Sequence, residues 1–405
     1  MDPFNSSRLV SPLSCFLLVL VGIAVVVLKK ECIRKHTQRE SGRDQNLKTT
    51  PTTENDKKKK KKTTEPDYSE ASYYAIEPLE DFSLETQEPL ELRPFKPKFH
   101  MTMDLVAMDN SYITRLHLRR QLIQDQRREV LACNPQAIPA VLELYEWLIG
   151  TYLPRRFPGI YSIVGSNSND TEKTITNQLL NTATSQLLPL RPLPTAEHAL
   201  QILGENIDTE FLLLQKPPVS PSQLPSSDPY RLTAFLNCFP SGFSTLSKLG
   251  LTLAAIHAPV PHYSAKLEKS MDRYFASLPV GKIVKRINWS VDTNGELFCL
   301  KGNHMSEEDL VGKGEQEVEA VDVRKTMLRC ERQTLHRLPR TGALVFAFKT
   351  YMYPLQQLKD QGNGELLAEA IDGLGLGSAP KMTVYKRQVI WGERVKAFLR
   401  GEIDA

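Results

Sequence analysis

The run from Arg231 to Trp289 constrains this chain most, because it changes character three times within a short stretch. It opens as Arg231-Leu-Thr-Ala-Phe-Leu-Asn-Cys238, apolar enough for a strand, and breaks at Phe239-Pro-Ser-Gly-Phe243. An apolar run then reaches Ile256-His257-Ala-Pro-Val-Pro261, and the stretch closes on Arg286-Ile-Asn288-Trp289. Each proline fixes its own φ and restricts the residue before it, so the chain around His257 has few conformations open to it. A histidine held this way has one of two roles. It is a buried imidazole bonded to a backbone carbonyl, or it ligates a metal or a haem iron, and the residues alone admit both.

The length of 405 residues allows two or three average domains or one elaborated domain. Fifty-one Lys and Arg stand against 47 Asp and Glu, a net charge of +4 that gives no case for nucleic acid as a partner. Much of that excess lies in one lysine run. The six cysteines (Cys15, Cys32, Cys133, Cys238, Cys299, Cys330) form no CxxC pair. They are too sparse for a disulfide scaffold, a zinc knuckle or a cysteine-bound iron–sulfur cluster, and a reducing compartment fits them best.

Four segments follow from composition. Residues 1–8 are a short lumenal N-terminus, and residues 9–28 are uncharged and of the length a helix needs to cross a bilayer. A cleaved signal peptide is the rival, but Asp2 precedes the run and Lys29-Lys30 follow where a cleavage site would stand. Lys29, Lys30, Arg34 and Lys35 after the span, against Arg8 before it, put the C-terminal part in the cytosol by the positive-inside rule. Residues 29–91 have low hydrophobicity and block charges, including Lys57 to Lys62, and read as a disordered linker. The lysine run is either a solvated spacer or a contact with anionic headgroups. Residues 92–405 form one large domain.

Within that domain Asp109 to Gln126 and Ala137 to Leu153 are expected as helices, the second from the helical spacing of Val141, Leu144, Trp147 and Leu148. Arg231 to Phe239, Ile283 to Val291 and Ala343 to Tyr353 are expected as strands. Met327 to Arg337 is expected as a short helix stopped by Pro339, and Gly373 to Gly377 as a loop. Helices gathered first and strands later point to an α+β fold with an antiparallel sheet.

No GxxxxGK[ST], no GxGxxG after a strand, no HExxH and no GxSxG occurs, so phosphate-loop, dinucleotide, zincin and α/β-hydrolase chemistries have no motif here. What remains is a set of polar residues near strand ends: His257, Arg286, Asn288, Glu331, Arg332, Gln333 and Thr334. Singly each is an ordinary polar group. Together they arrive in three compact motifs, as in a pocket assembled from several elements.

These motifs, with Leu232-Thr-Ala, Lys248-Leu-Gly, Tyr145 to Pro158 and the run Leu328-Arg-Cys-Glu-Arg-Gln-Thr-Leu-His-Arg-Leu-Pro339, resemble the haem-dependent oxidative N-demethylase alpha-subunit-like family. The family is common in fungi, whose members are called HRQ family proteins. The resemblance implies a PAS-like sheet-and-helix fold holding haem b and oxidising a small N-methylamine to the demethylated amine and formaldehyde. It implies His257 as the axial ligand and metal-binding residue, Arg286 and Asn288 as catalytic pocket residues, and Trp289 and Arg332 at the cofactor. Glu331 and Arg332 are equally readable as a structural ion pair. The chain departs from the family at Met103-Asp104-Leu105, where Met-Gly-Leu is expected.

The resemblance also implies a separate flavin or iron–sulfur protein as electron donor, since this chain carries neither motif. With the anchor, it implies a single-pass protein of the endoplasmic reticulum membrane. Two other classes stay open: a haem sensor without turnover, and a tethered interaction protein without cofactor. An enzyme built on Cys238 as nucleophile has no histidine placed beside it by motif.

Overall fold

In the computed structural model, which describes residues 68–90, 100–101, 104–166, 176–191, 193–217, 228–310, 321–376 and 379–405, the chain is α+β with antiparallel sheets. Among the described residues ten strands form two sheets. They are β1 (His100–Met101), β2 (Leu131–Cys133), β3 (Tyr161–Ser166), β4 (Thr176–Asn181), β5 (Gln186–Pro189), β6 (Glu210–Gln215), β7 (Arg231–Leu236), β8 (Val284–Asp292), β9 (Met327–Arg337) and β10 (Leu344–Pro354). The larger sheet runs β1-β8-β9-β10-β6-β7-β2, and the smaller is β3-β4-β5.

Side chains alternate across a strand, so each strand of the large sheet offers one set to each face. Phe211, Leu213, Ala234, Leu236, Val345 and Ala347 join the core of the helices Tyr112–Asp125, Ile138–Trp147 and Ala196–Asn206. Fully burying one such leucine or phenylalanine contributes roughly 1.5–3 kcal/mol. Leu214, Leu232 and Leu344 belong instead to a second core, with Leu253, Val260, Tyr263 and Phe275 from the segment that follows β7. The small sheet is tied to the helical layer through the Tyr112 hydroxyl, which donates to Asn206 O at 2.7 Å and accepts from Asn181 Nδ2 at 3.0 Å.

Several expectations are corrected. Met327 to Arg337 is not a helix but strand β9, paired along its length with β10 and from Met327 to Leu335 with β8. Several of its polar side chains are buried and held by backbone distant in sequence: Arg329 donates to Phe239 O at 2.6 Å, and Arg332 donates to the carbonyls of Asp104 and Leu105. Gly373 and Gly375 lie inside the helix Gly364–Leu376 rather than in a loop, while Gly377 lies outside the described residues. Residues 68–90, assigned by composition to the linker, are folded onto the domain. Ser69 caps the short helix Glu70–Tyr74, and the buried Tyr73 ring stacks on Trp147 with centroids 4.4 Å apart.

The expected transmembrane helix, and with it the single-pass, cytosol-facing placement, is also corrected. No helix among the described residues is long and apolar enough to cross a membrane, and residues 9–28 lie outside the described residues. The lysine run 57–62 lies outside them too.

Candidate functional site

Strands β8 and β9 are in register so that Arg286 pairs with Gln333 and Asn288 with Glu331, while Phe348 of β10 flanks Gln333 on the other side. These residues share the sheet face turned away from the three long helices. Between that face and the segment 241–278 lies a cavity of about 290 Å³. Its apolar wall includes Leu212, Leu214, Leu253, Val260, Phe275 and Phe346. A few polar side chains converge on it: Lys248, His257, Asn288, His304, Glu331, Gln333, Tyr385 and Lys386. A mostly apolar pocket with a small number of placed polar groups is the usual form of a ligand site.

Local chain chemistry sets His257 in this wall. The Thr252 hydroxyl accepts from Ala255 N at 3.2 Å and starts a single helical turn, Leu253–Ile256, which ends at His257. Pro259 and Pro261 prevent its continuation. His262 then turns the chain with φ of 62°, a left-handed conformation uncommon outside glycine, and this returns the Tyr263 ring to the imidazole. His257 Nδ1 lies 2.8 Å from Leu253 O. A carbonyl only accepts, so Nδ1 carries the proton and Nε2 keeps its lone pair. Burial lowers the His257 pKa to about 4, against the Leu253 hydrogen bond and with help from Lys248 and Arg286, so the ring is neutral near pH 7. A neutral imidazole whose other nitrogen is fixed by a carbonyl is the ligating form.

The two roles that the residues admit for His257 are therefore compatible. The backbone hydrogen bond uses one nitrogen and orients the other. Among the described residues no cluster of three His, Cys, Asp or Glu could hold a metal ion. A metal at His257 would need most of its ligands from a non-protein group, and a porphyrin supplies four.

Arg286 stands on the same sheet face, beside the cavity lining. Its Nε donates to Gln333 Oε1, its Nη2 is buried without a hydrogen-bond partner, and burial lowers its pKa to about 10 against the pull of Glu331. Glu331 Oε2 accepts from Gln333 Nε2 at 2.7 Å and from Asn288 Nδ2 at 3.5 Å. The carboxylate is thus held by two amides. Arg332, the neighbour in sequence, is not its ion-pair partner, because alternation sends Arg332 to the opposite face, where it binds the Asp104 and Leu105 carbonyls. Asp104, the departure from Met-Gly-Leu, pairs with Arg156 there.

His257 and Asn288 thus meet in one cavity with Arg286 adjacent. Trp289 and Arg332 do not line it: Trp289 is packed in the core with Cys330 and Val291, and Arg332 braces the chain before the first long helix. Cys238 is fully buried, its backbone N–H donates to Glu210 at 2.7 Å, and burial pushes its thiol up to about 12, which suits an inert thiol rather than a nucleophile.

Three lining residues carried no signal in the sequence: His304, Tyr385 and Lys386. They come from a loop and from the C-terminal region, outside every motif. The one indirect sign was Gly242 in Phe239-Pro-Ser-Gly. Its φ of 77° and the nearness of Asn303 Cβ, 2.7 Å from where a Cβ would sit, require glycine and let the 303–304 loop close over the cavity.

A protein-family profile described as haem-dependent oxidative N-demethylase, alpha subunit-like, matches residues 98–396.

Proposed function

We propose, from the premise that the chain belongs to the haem-dependent oxidative N-demethylase alpha-subunit-like family, that it binds haem b in the cavity at His257 and oxidises a small N-methylamine. The observation that carries this is the fixed tautomer of His257, with Nδ1 tied to Leu253 O and Nε2 left to a ligand beside an apolar cavity. The residues present fit the group: one neutral imidazole, a largely apolar wall, and a buried N–H of Arg286 lacking a partner.

When bound, haem supplies oxygen activation, and the products expected are the demethylated amine and formaldehyde. The chain's own residues do the rest. The apolar wall excludes water and so strengthens the electrostatics inside. Arg286 and Asn288 supply N–H donors on the sheet face, and a fixed donor beside an oxygen that gains negative charge stabilises it. Gln333 holds Arg286, and Glu331 holds Gln333 and Asn288, so the donors are positioned before any ligand arrives. A separate flavin or iron–sulfur protein is the proposed electron donor, because the cysteine spacing of this chain suits no cluster.

The test is an absorption spectrum of the full chain produced with haem precursor, oxidised and then reduced under carbon monoxide. A Soret band lost in His257→Ala, together with formaldehyde release from an N-methylamine and a reductant, is the expected result. A Soret band unchanged in His257→Ala overturns the ligand assignment, and a haem protein inert toward all amines overturns the demethylase assignment in favour of sensing.

A further inference from the structure

We infer that the part of the cavity wall built from Lys386, Tyr385 and His304 is a carboxylate-binding subsite, so that what enters this cavity carries a carboxylate. It deepens the reading above, and rests on it only for which cavity the ligand enters.

Among the described residues two lysines are deeply buried, and the fold treats them differently. Lys349 Nζ lies 2.6 Å from Asp109 Oδ2 and 3.3 Å from Asp208 Oδ2, so its charge is neutralised within the core. Lys386 is only 6% exposed, yet no carboxylate of the described residues lies within ion-pair distance of it. Its Nζ donates to Trp289 O at 2.7 Å and sits 5.2 Å from the Trp289 ring centroid. An ammonium has three N–H donors, and a backbone carbonyl uses one. A buried charge without a counter-charge is costly, and the side of Lys386 not packed on Trp289 lines the cavity.

The ammonium cannot swing out to water cheaply, because its backbone is pinned. Trp391 Nε1 donates to Lys386 O at 2.9 Å, and Lys386 N donates to Met382 O at 2.9 Å. Tyr385 O accepts from Met305 N at 3.2 Å, which ties this turn to the loop bearing His304. The His304 ring lies 4.6 Å from that of Tyr385, and burial, aided by Lys386, lowers its pKa to about 4. It therefore adds a polar edge without charge. Burial also lowers Lys386, to about 8, against the pull of Glu331, which leaves it mostly protonated at neutral pH.

The balance of charge around the cavity points the same way. Lys248 and Lys386 line it and Arg286 stands beside it, against Glu331 alone, whose Oε2 already accepts from two amides. A carboxylate at Lys386 has two chemical sources. It belongs to a propionate arm of a porphyrin, or to an amine substrate of the N-methyl amino acid type.

The experiment uses the full chain with Lys386→Met and Lys386→Gln, and Lys386→Arg as the charge-retaining control, each checked for its thermal midpoint and far-ultraviolet spectrum. The first arm titrates haem-free protein with protoporphyrin IX and with its dimethyl ester, followed by porphyrin fluorescence. The second measures binding of N,N-dimethylglycine and of dimethylamine calorimetrically. A wild-type preference of tenfold or more for the free-acid porphyrin, lost in Lys386→Met or Lys386→Gln and kept in Lys386→Arg, assigns the subsite to propionate. The same pattern for N,N-dimethylglycine over dimethylamine assigns it to substrate. Wild-type protein that shows neither preference, or neutral variants that keep both, overturns the subsite. The Soret band of wild type against His257→Ala is read separately, so a failed subsite leaves the haem assignment standing, and a missing Soret band leaves the calorimetric arm readable.

Discussion

The ring of Tyr263 stacks on His257 with centroids 4.6 Å apart and planes 12° from parallel. The Tyr263 hydroxyl is buried and has no hydrogen-bond partner, so the ring rather than the hydroxyl fixes the imidazole plane. Tyr263→Phe should therefore leave stability within about 0.5 kcal/mol of wild type, or raise it slightly, since no hydrogen bond is lost. Tyr263→Ala should cost about 3–5 kcal/mol and broaden the Soret band of haem-loaded protein, because the ring that packs the imidazole is gone. Urea denaturation of both variants checks the pair. A Tyr263→Phe variant as unstable as Tyr263→Ala would show that the hydroxyl carries the contact.

His257 and His304, both half-buried, and the fully buried His336 are neutral rings near pH 7, because loss of solvent around them lowers their pKa values to about 4, about 4 and about 3. In the unfolded chain a histidine titrates near ~6.5. Between the two values the unfolded state binds the extra protons, so stability falls as pH drops below about 6.5 and the loss levels off beneath the folded values. Each histidine contributes a slope of about 1.4 kcal/mol per pH unit across that window. His336 isolates one share, since neither ring nitrogen has a partner and the ring packs between Tyr73 and Trp147, at 5.8 and 5.6 Å. His336→Phe should lose less stability than wild type between pH 7 and pH 5 in guanidinium midpoints. An unchanged slope would mean that His336 is not neutral in the fold.

How far the site could be read from the residues depends on where each group sits in the chain. His257 was readable because two prolines and an apolar run restrict one local stretch, and Arg286 and Asn288 because a single strand carries both on one face. Glu331 and Gln333 were found as a motif while their strand was mistaken for a helix. Arg329, Arg332 and His336 look like solvent-facing residues until the carbonyls and rings that surround them are known, and those come from Phe239, Asp104 and Tyr73, far away in sequence. Polar residues matched by distant partners defeat a reading based on local alternation. The same limit hid Lys386 and His304, each a lone residue whose meaning depends on tertiary contact.

The thiol of Cys238, which no motif pairs with a histidine, gives a simple chemical check. Burial raises this thiol to about 12 and raises that of Cys330 as well, so thiolate is scarce in the folded protein at neutral pH. Native protein treated with iodoacetamide should leave both unmodified by peptide mass mapping, while denatured protein labels fully. Rapid alkylation of Cys238 in the native state would restore the nucleophile reading.

The buried ion cluster beneath the helical layer should dominate stability. Lys349 bridges Asp109 and Asp208, Arg115 Nε lies 3.2 Å from Asp208 Oδ2, and Arg119 pairs with Glu210. Burial alone would raise the Asp208 carboxyl, but Arg115, Lys349 and Arg119 together hold it below the usual carboxylate range. Removing one member leaves an uncompensated buried charge, so Lys349→Met should cost about 3–5 kcal/mol. The loss should be smallest in acid, because protonation of the orphaned carboxylates relieves the penalty, and Lys349→Met combined with Asp109→Asn should recover part of it. The denaturant midpoints of the three proteins at pH 5 and pH 7 decide this. A double variant no more stable than Lys349→Met would mean that Asp208, not Asp109, is the partner on which Lys349 depends.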